Sequence, residues 1–125
     1  MYKCKTDSKP RKGKVLSKAL QNMNDYLGLK RSELAAIIGT SPASLSRLFS
    51  GNHEMNIHKK EAELALILLR LYRSLDTLLG GNTKQIQDWL RSPNKHLNGI
   101  PIELIQSVEG LIVVTTYLDA MRGKL

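Results

Sequence analysis

The sequence predicts an all-α fold in which a small N-terminal helical unit is joined by a long apolar helix to a C-terminal helical domain. Two observations support this prediction. Apolar residues recur at steps of three and four over most of the chain from residue 15 onward, which is the period of a helix packed on one side. Glycine, proline and asparagine interrupt this pattern where helices should begin or end. The length of 125 residues and the hydrophobic content of 42% suit one compact domain or two very small units.

The formal charge of +8 is concentrated in the first half of the chain. Residues 1–18 hold seven basic side chains against one acidic side chain, whereas residues 61–125 hold seven of each. Excess positive charge favours an anionic partner, so the first half is suited to meet phosphate. No apolar run reaches the roughly 18 residues of a membrane span, and the N-terminus lacks the apolar core of a signal peptide. We therefore expect a cytoplasmic protein that contacts no membrane.

Residues 1–13 are predicted to form a disordered basic arm. The first dozen residues contain no aliphatic side chain, and such a segment buries too little apolar surface to offset the entropy of ordering. Two interpretations stay open: a solubilising tail, or an arm that lies on a DNA backbone or in a minor groove. In the second interpretation the contacting residues are Lys9, Arg11 and Lys12.

Three short helices are predicted next. The apolar stripe of the first consists of Val15, Leu16, Ala19, Leu20, Met23, Tyr26 and Leu27. Residues 31–51 then form two helices around a tight turn at Gly39, because glycine readily adopts a positive φ. Ser41 is a good N-cap and Pro42 a good first residue for the second of these helices. The predicted buried stripe of that helix is Leu45, Leu48 and Phe49.

The spacing of this helix pair resembles the DNA-binding helix-turn-helix of the Xre and Cro-repressor group, so residues 14–60 are predicted to bind DNA. Ala35 precedes the turn glycine by four residues, and aliphatic residues follow that glycine after six and nine residues. The exposed Arg47 is suited to a bidentate contact with guanine. The residues expected to contact DNA are Ser41, Ala43, Ser44 and Arg47, with Arg31, Asn52 and His53 at the flanks. The alternative is a helical hairpin that packs and binds nothing.

One such motif contacts only a few base pairs, so we expect a homodimer on a pseudo-palindromic operator in double-stranded DNA. Residues 61–80 are predicted to form a connecting helix that is apolar nearly all round between Leu64 and Leu71, interrupted only by Arg70. A helix of this kind is buried on more than one face. Two interpretations stay open: a central helix on which both halves pack, or a helix that contributes part of a dimer seam.

Residues 81–125 are predicted to form a second helical domain. A short helix that contains Trp89 ends before Pro93, because the residue before proline avoids the α region. Pro101 starts a further helical turn, and Ser107 is a candidate cap for the last element. Residues 113–116 are β-branched, so periodicity alone leaves this last element open between helix and strand.

This C-terminal third resembles the toxin-binding domain of the Xre/MbcA/ParS family of type II antitoxins. The family pattern contains a Trp-Leu pair, a Pro-Asn pair, a Gly-x-Pro turn and a terminal helix that ends near a glycine. The matching residues are Trp89, Leu90, Pro93, Asn94, Leu97, Gly99, Pro101, Leu104, Gly110, Val114, Leu118 and Gly123. The resemblance implies that the last element is an α-helix.

The resemblance also implies a function and a partner. Antitoxins of this family block a cognate RES-type toxin, which attacks NAD, or a related ADP-ribosyltransferase-like enzyme, and the complex represses its own promoter. The C-terminal helix and tail of the family lie at the entrance to the toxin active site. On this chain the implied toxin-binding residues are Tyr117, Met121, Arg122, Lys124 and Leu125. The basic pair Arg122 and Lys124 is suited to an anionic nucleotide pocket.

The sequence contains no catalytic constellation. Its three histidines have no metal-ligand spacing, and its single cysteine excludes an internal disulfide and a cysteine-based zinc site. We therefore expect neither an enzyme nor a bound cofactor or metal. Two alternatives to the antitoxin stay open. One is a free-standing dimeric helix-turn-helix repressor without a toxin partner, and the other is an interaction protein that has lost DNA binding.

Overall fold

The structure, a computed structural model, describes residues 12–124 and confirms the predicted all-α fold. Seven helices follow one another in this range: α1 (Lys12–Leu27), α2 (Arg31–Ile38), α3 (Pro42–Phe49), α4 (Lys60–Leu78), α5 (Thr83–Arg91), α6 (Pro101–Leu104) and α7 (Val108–Arg122). An isolated backbone bridge between Asn94 and Gly99 is the only extended pairing within the described residues. None of the described helices is long and apolar enough to cross a membrane.

Helix α1 begins earlier than predicted. Lys12 and Gly13, which we assigned to the disordered arm, are helical, and Gly13 is buried. The other arm residues predicted to contact DNA, Lys9 and Arg11, lie outside the described residues. The predicted apolar stripe is also too wide, because the side chains of Val15 and Tyr26 are half exposed.

Helices α2 and α3 form the predicted pair around a tight turn. Gly39 has a φ of 77°, and its N–H donates to the carbonyl oxygen of Ala35, which ends α2. Ser41 caps α3 by accepting a hydrogen bond from the backbone N–H of Ser44, and Pro42 is the first helical residue. The buried stripe is narrower than predicted, since Leu45 is fully buried whereas Leu48 and Phe49 are only partly buried.

Helix α4 is the central element of the fold. It packs against α1 and α2 and also against α7, so the apolar residues of both halves form one continuous core. The residues that α4 places in this core are Ala62, Ala65, Leu68, Leu71 and Leu75. This packing agrees with the interpretation of a central helix, and the dimer seam stays a prediction. The helix was predicted to be buried on more than one face between Leu64 and Leu71, but Leu66 in this segment is 57% exposed.

The C-terminal half is built from local caps and one tight loop. The side chain of Asn82 caps α5, and that of Ser107 caps α7 through the backbone N–H of Gly110, as predicted for Ser107. The loop between α5 and α6 is closed by the bridge between Asn94 and Gly99, and the Asn94 side chain accepts the N–H of Leu97. The β-branched run at 113–116 lies inside α7, which decides in favour of the helix.

Candidate functional site

The first candidate surface is the exposed face of α3. The Arg47 guanidinium donates to the Ser44 hydroxyl, with 3.2 Å between Nη2 and Oγ. The Ser41 hydroxyl lies 2.9 Å from the same Ser44 oxygen while it accepts the Ser44 backbone N–H. This chain of bonds holds Arg47 on the surface with a neutral partner, and none of the ion pairs among the described residues involves it. Its charge is therefore free to meet an anion.

The other residues predicted to contact DNA lie around this face on separate segments. Ala43 is exposed on the first turn of α3, next to Ser44. The guanidinium of Arg31 stacks on the Phe49 ring, 4.7 Å from its centroid, so this side chain also covers the end of α3. Lys12 is exposed at the start of α1, and Asn52 is exposed in the turn after α3. The structure therefore brings together Ser41, Ala43, Ser44 and Arg47, whereas the other predicted residues within the described range lie on other segments: Lys12, Arg31, Asn52 and His53.

A cleft of about 260 Å³ opens beside Arg47, and no pattern in the sequence predicted it. Its polar lining combines basic and acidic side chains from α3, the turn after α3 and the start of α4. The charged and histidine residues that line it are Arg47, His53, Glu54, Lys59 and Glu61. No group of three or more potential metal ligands occurs in the part of the chain from residue 12 to 124.

The second candidate surface is a stripe on α7. Val113, Tyr117 and Met121 follow one another at four-residue steps, so they share one face of the helix. Val113 is half exposed, and 37% of Met121 is exposed. The Tyr117 ring stacks on His96 of the loop between α5 and α6, with 6.0 Å between ring centroids. Tyr117 and Met121 were predicted from the sequence to bind the toxin, whereas Val113 and His96, which share this surface, were not singled out.

A shallow cavity of about 220 Å³ continues this stripe toward the loop before α6. Leu97 and Leu104 line it together with Val113, so apolar surface extends from α7 onto α6 and the loop before it. The four-residue spacing of the stripe could have revealed it from the sequence. The contribution of the loop could not be predicted, because it depends on how residues 92–100 fold back on α7.

Asp119 fixes the last turns of α7 against α4. The Ser74 hydroxyl donates to Asp119 Oδ1 at 2.8 Å, and Arg70 Nη2 lies 2.6 Å from Asp119 Oδ2. Arg122 reaches the same carboxylate at 3.7 Å, so its charge is partly compensated within the chain. Lys124 is exposed, and Leu125 lies outside the described residues. Of the two basic residues predicted to enter an anionic pocket, Lys124 is thus the less constrained.

A further contact joins the two halves of the chain. Arg91, at the end of α5, makes two bonds to the Glu33 carboxylate at 3.0 and 2.8 Å and a third to the carbonyl oxygen of Gly28 at 3.1 Å. Glu33 also accepts the backbone N–H of Lys30 at the start of α2. The hydrogen bond from Arg91 lowers the pKa of Glu33, although burial opposes the effect. Sequence analysis missed this contact, because 58 residues separate its two partners.

The family comparisons divide the chain along the same lines. Residues 8–70 match the family described as the antitoxin Xre-like helix-turn-helix domain. Residues 74–124 match the family described as the antitoxin Xre/MbcA/ParS C-terminal toxin-binding domain. None of the curated proteins matches the sequence. Since the two family matches together cover nearly the whole described chain, the protein belongs to the Xre/MbcA/ParS family of type II antitoxins.

Proposed function

We propose that this antitoxin binds and inhibits a RES-type toxin that acts on NAD, or a related ADP-ribosyltransferase-like enzyme, and represses its own promoter as a homodimer. The observation that carries the proposal is the order of the two family matches along one chain, a helix-turn-helix followed by a toxin-binding domain. The RES-type target rests on the resemblance of the C-terminal third to its family.

The DNA-binding part of the proposal rests on the exposed face of α3. Arg47 is charged, exposed and without a carboxylate partner among the described residues. In a major groove it would donate to guanine O6 and N7, while the hydroxyls of Ser41 and Ser44 would bond to base edges or phosphates. Two copies of the chain would place two such helices one helical turn apart on a pseudo-palindromic site.

The toxin-binding part of the proposal rests on the stripe formed by Val113, Tyr117 and Met121. Apolar and aromatic side chains that stay exposed on a helix are typical of the central part of a protein interface. Lys124 follows the stripe at the end of the helix and is exposed. Lys124 and Arg122 would then approach the toxin pocket that holds the nucleotide phosphates, where positive charge is favoured.

The test combines two assays on the full chain. The gene adjacent to that of the antitoxin is expressed alone and together with the antitoxin, and growth is measured along with cellular NAD. When the neighbouring gene is expressed alone, we expect its product to stop growth and to deplete NAD. When the antitoxin is co-expressed, we expect it to restore growth and cellular NAD and to co-purify with that product. A gel-shift titration on the upstream DNA of the two genes should show specific binding.

The alternative function, a free-standing dimeric repressor, predicts a different pair of results. The upstream DNA would still be bound, but no neighbouring product would be toxic and none would co-purify. A protein that neutralises a toxin without binding the upstream DNA would instead be an interaction protein only. If growth arrest were relieved with no change in cellular NAD, the chain would still act as an antitoxin, but its toxin would not be one that acts on NAD.

A further inference from the structure

A second concave surface lies on the far side of the turn that follows α3. This groove has a volume of about 730 Å³ and runs between α1 and residues 51–54. Leu48 and His53 line both the groove and the cleft beside Arg47, so the two depressions share a wall. The groove therefore adjoins the helix that the proposed function places in DNA.

One wall of the groove is a polar stripe of α1. Lys14, Lys18 and Gln21 are spaced by four and three residues and share a helix face, while Leu16, Leu20 and the other core residues occupy the opposite side. Both lysines are exposed, and neither forms an ion pair with a described residue. The wall therefore carries two positive charges that form no ion pair with a described residue.

The opposite wall adds hydrogen-bonding groups and one acidic residue. Asn52 and His53 stand in the turn after α3, and Asn22 adds an amide to the groove from the α1 wall. Glu54 also lines the groove, where it has an interaction of its own. Lysines interspersed with amide side chains are the usual partners of phosphate oxygens, and they carry no sequence information.

The two walls are held at a fixed separation by buried contacts. The Ser17 hydroxyl donates to the carbonyl oxygen of Gly13 at 2.8 Å and accepts the backbone N–H of Met55 at 3.2 Å. A Cβ atom at Gly13 would collide with the carbonyl oxygen of Met55, so glycine permits the close approach of α1 to this turn. The groove is thus formed before any ligand arrives.

We propose that this groove binds the sugar-phosphate backbone of a DNA strand next to the major groove that α3 enters, with Lys14 and Lys18 as its phosphate contacts. The inference rests on the proposed DNA binding and deepens it. Arg47 would contact bases, whereas the α1 groove would contribute affinity that is independent of sequence and sensitive to salt.

The test compares the double variant Lys14→Ala/Lys18→Ala with Lys84→Ala/Lys95→Ala, which removes the same charge from exposed sites in the C-terminal half. Each protein is titrated with upstream DNA and with a random duplex of equal length over a series of salt concentrations. For the groove variant we expect weaker binding to both duplexes by a similar factor. We also expect the slope of log affinity against log salt to fall by about two per chain. Lys14→Arg/Lys18→Arg should retain binding, which separates charge from any effect on folding.

The outcomes separate this inference from the proposed function. Equal affinities and salt slopes for the two alanine variants would overturn the groove while leaving repression intact. A groove variant that loses only the preference for upstream DNA would also overturn it, because phosphate contacts do not discriminate sequence. If the wild-type chain binds both duplexes equally but responds to the lysine changes, the groove stands and specific repression fails. No binding to either duplex would reject both.

Discussion

The helix-turn-helix half and the C-terminal half have similar interiors and different surfaces. Both contribute aliphatic side chains to one core built on α4. On the surface, α3 presents serine hydroxyls and the guanidinium of Arg47, whereas α7 presents Val113, Tyr117 and Met121. Since the buried residues of both halves are of one kind, the chemistry of each partner is indicated only by what stays exposed.

The two surfaces are also held in different ways. The α3 face is ordered locally, by a cap and hydrogen bonds between residues three apart. The α7 stripe is positioned by long-range contacts, since Asp119 bonds to Ser74 and Arg70 of α4. Damage to the central helix should therefore affect both surfaces, whereas damage to a single surface residue should affect one partner only.

The largest expected effect comes from the shared core. Leu68 is completely buried in α4, so Leu68→Ala should lower the free energy of unfolding by about 2–5 kcal/mol through lost burial and a residual cavity. The matched control is Leu66→Ala, whose side chain is 57% exposed on the same helix and should cost less than about 1 kcal/mol. Urea titrations followed by circular dichroism measure both. Two separate unfolding transitions in wild type would contradict the shared core.

The contact between Arg91 and Glu33 should have a smaller effect. The Glu33 side chain is only 15% exposed, and Arg91 holds it with two bonds, so Arg91→Ala should destabilise the chain by about 1–2 kcal/mol. Lys84→Ala, which breaks the largely exposed pair with Asp88, is the control and should cost about 0.5 kcal/mol or less. If the free energy of unfolding fell equally in the two variants, the pair between Arg91 and Glu33 would stabilise the chain no more than an ordinary surface pair does.

The same pair predicts a dependence on pH. The pKa of Glu33 is lowered below its ordinary value of 4.5 in the folded chain, chiefly by the hydrogen bond from Arg91. A lowered pKa means that the pair stabilises the fold above pH 4.5 and that this stabilisation is lost as the pH falls through the folded pKa. The stability gap between wild type and Arg91→Ala should therefore be full at neutral pH and shrink as the pH falls below 4.5. A constant gap would reject the ionic origin of the contact.

The smallest effect on stability is expected on the α7 stripe. Val113 is half exposed, so Val113→Ser should change the free energy of unfolding by about 0.5 kcal/mol or less. Its affinity for the toxin should nevertheless fall, because the variant places a hydroxyl in the proposed interface. Ile112→Ser is the matched control, since Ile112 is equally apolar and exposed but lies a quarter turn away on α7. Calorimetric titration with the toxin should separate the two, and identical affinities would remove the stripe from the interface.

The features that could be predicted from the sequence are those that depend on residues close together along the chain. The Ser41 and Ser107 caps and the turn at Gly39 depend on residues within four positions, so the sequence carries their signal directly. The exposure of Leu66 and the partial exposure of Phe49 could not be predicted, since they depend on which faces the other helices cover. The contacts of Arg91 with Glu33 and of Asp119 with Ser74 join residues 58 and 45 positions apart and leave no periodic trace.

The site could be predicted to a similar degree. The outward residues of α3 follow from the helical period once Leu45 is placed inside. The residues that line the α1 groove could not be predicted from the sequence. Lys14 and Asn52 line the same groove only because α1 packs against the turn after α3.

The central claim is that one surface binds DNA and the other binds the toxin, and a cross-comparison of two variants tests it most directly. Arg47→Ala and Met121→Asp, both at exposed positions, are each titrated with the upstream DNA and with the toxin. We expect Arg47→Ala to lose about 1–3 kcal/mol of DNA discrimination and to keep its affinity for the toxin. We expect Met121→Asp to lose toxin affinity and to bind DNA as wild type does. The division between the two surfaces would be contradicted if either variant lost affinity for DNA and for the toxin to the same extent. It would also be contradicted if Arg47→Ala weakened only toxin binding and Met121→Asp weakened only DNA binding.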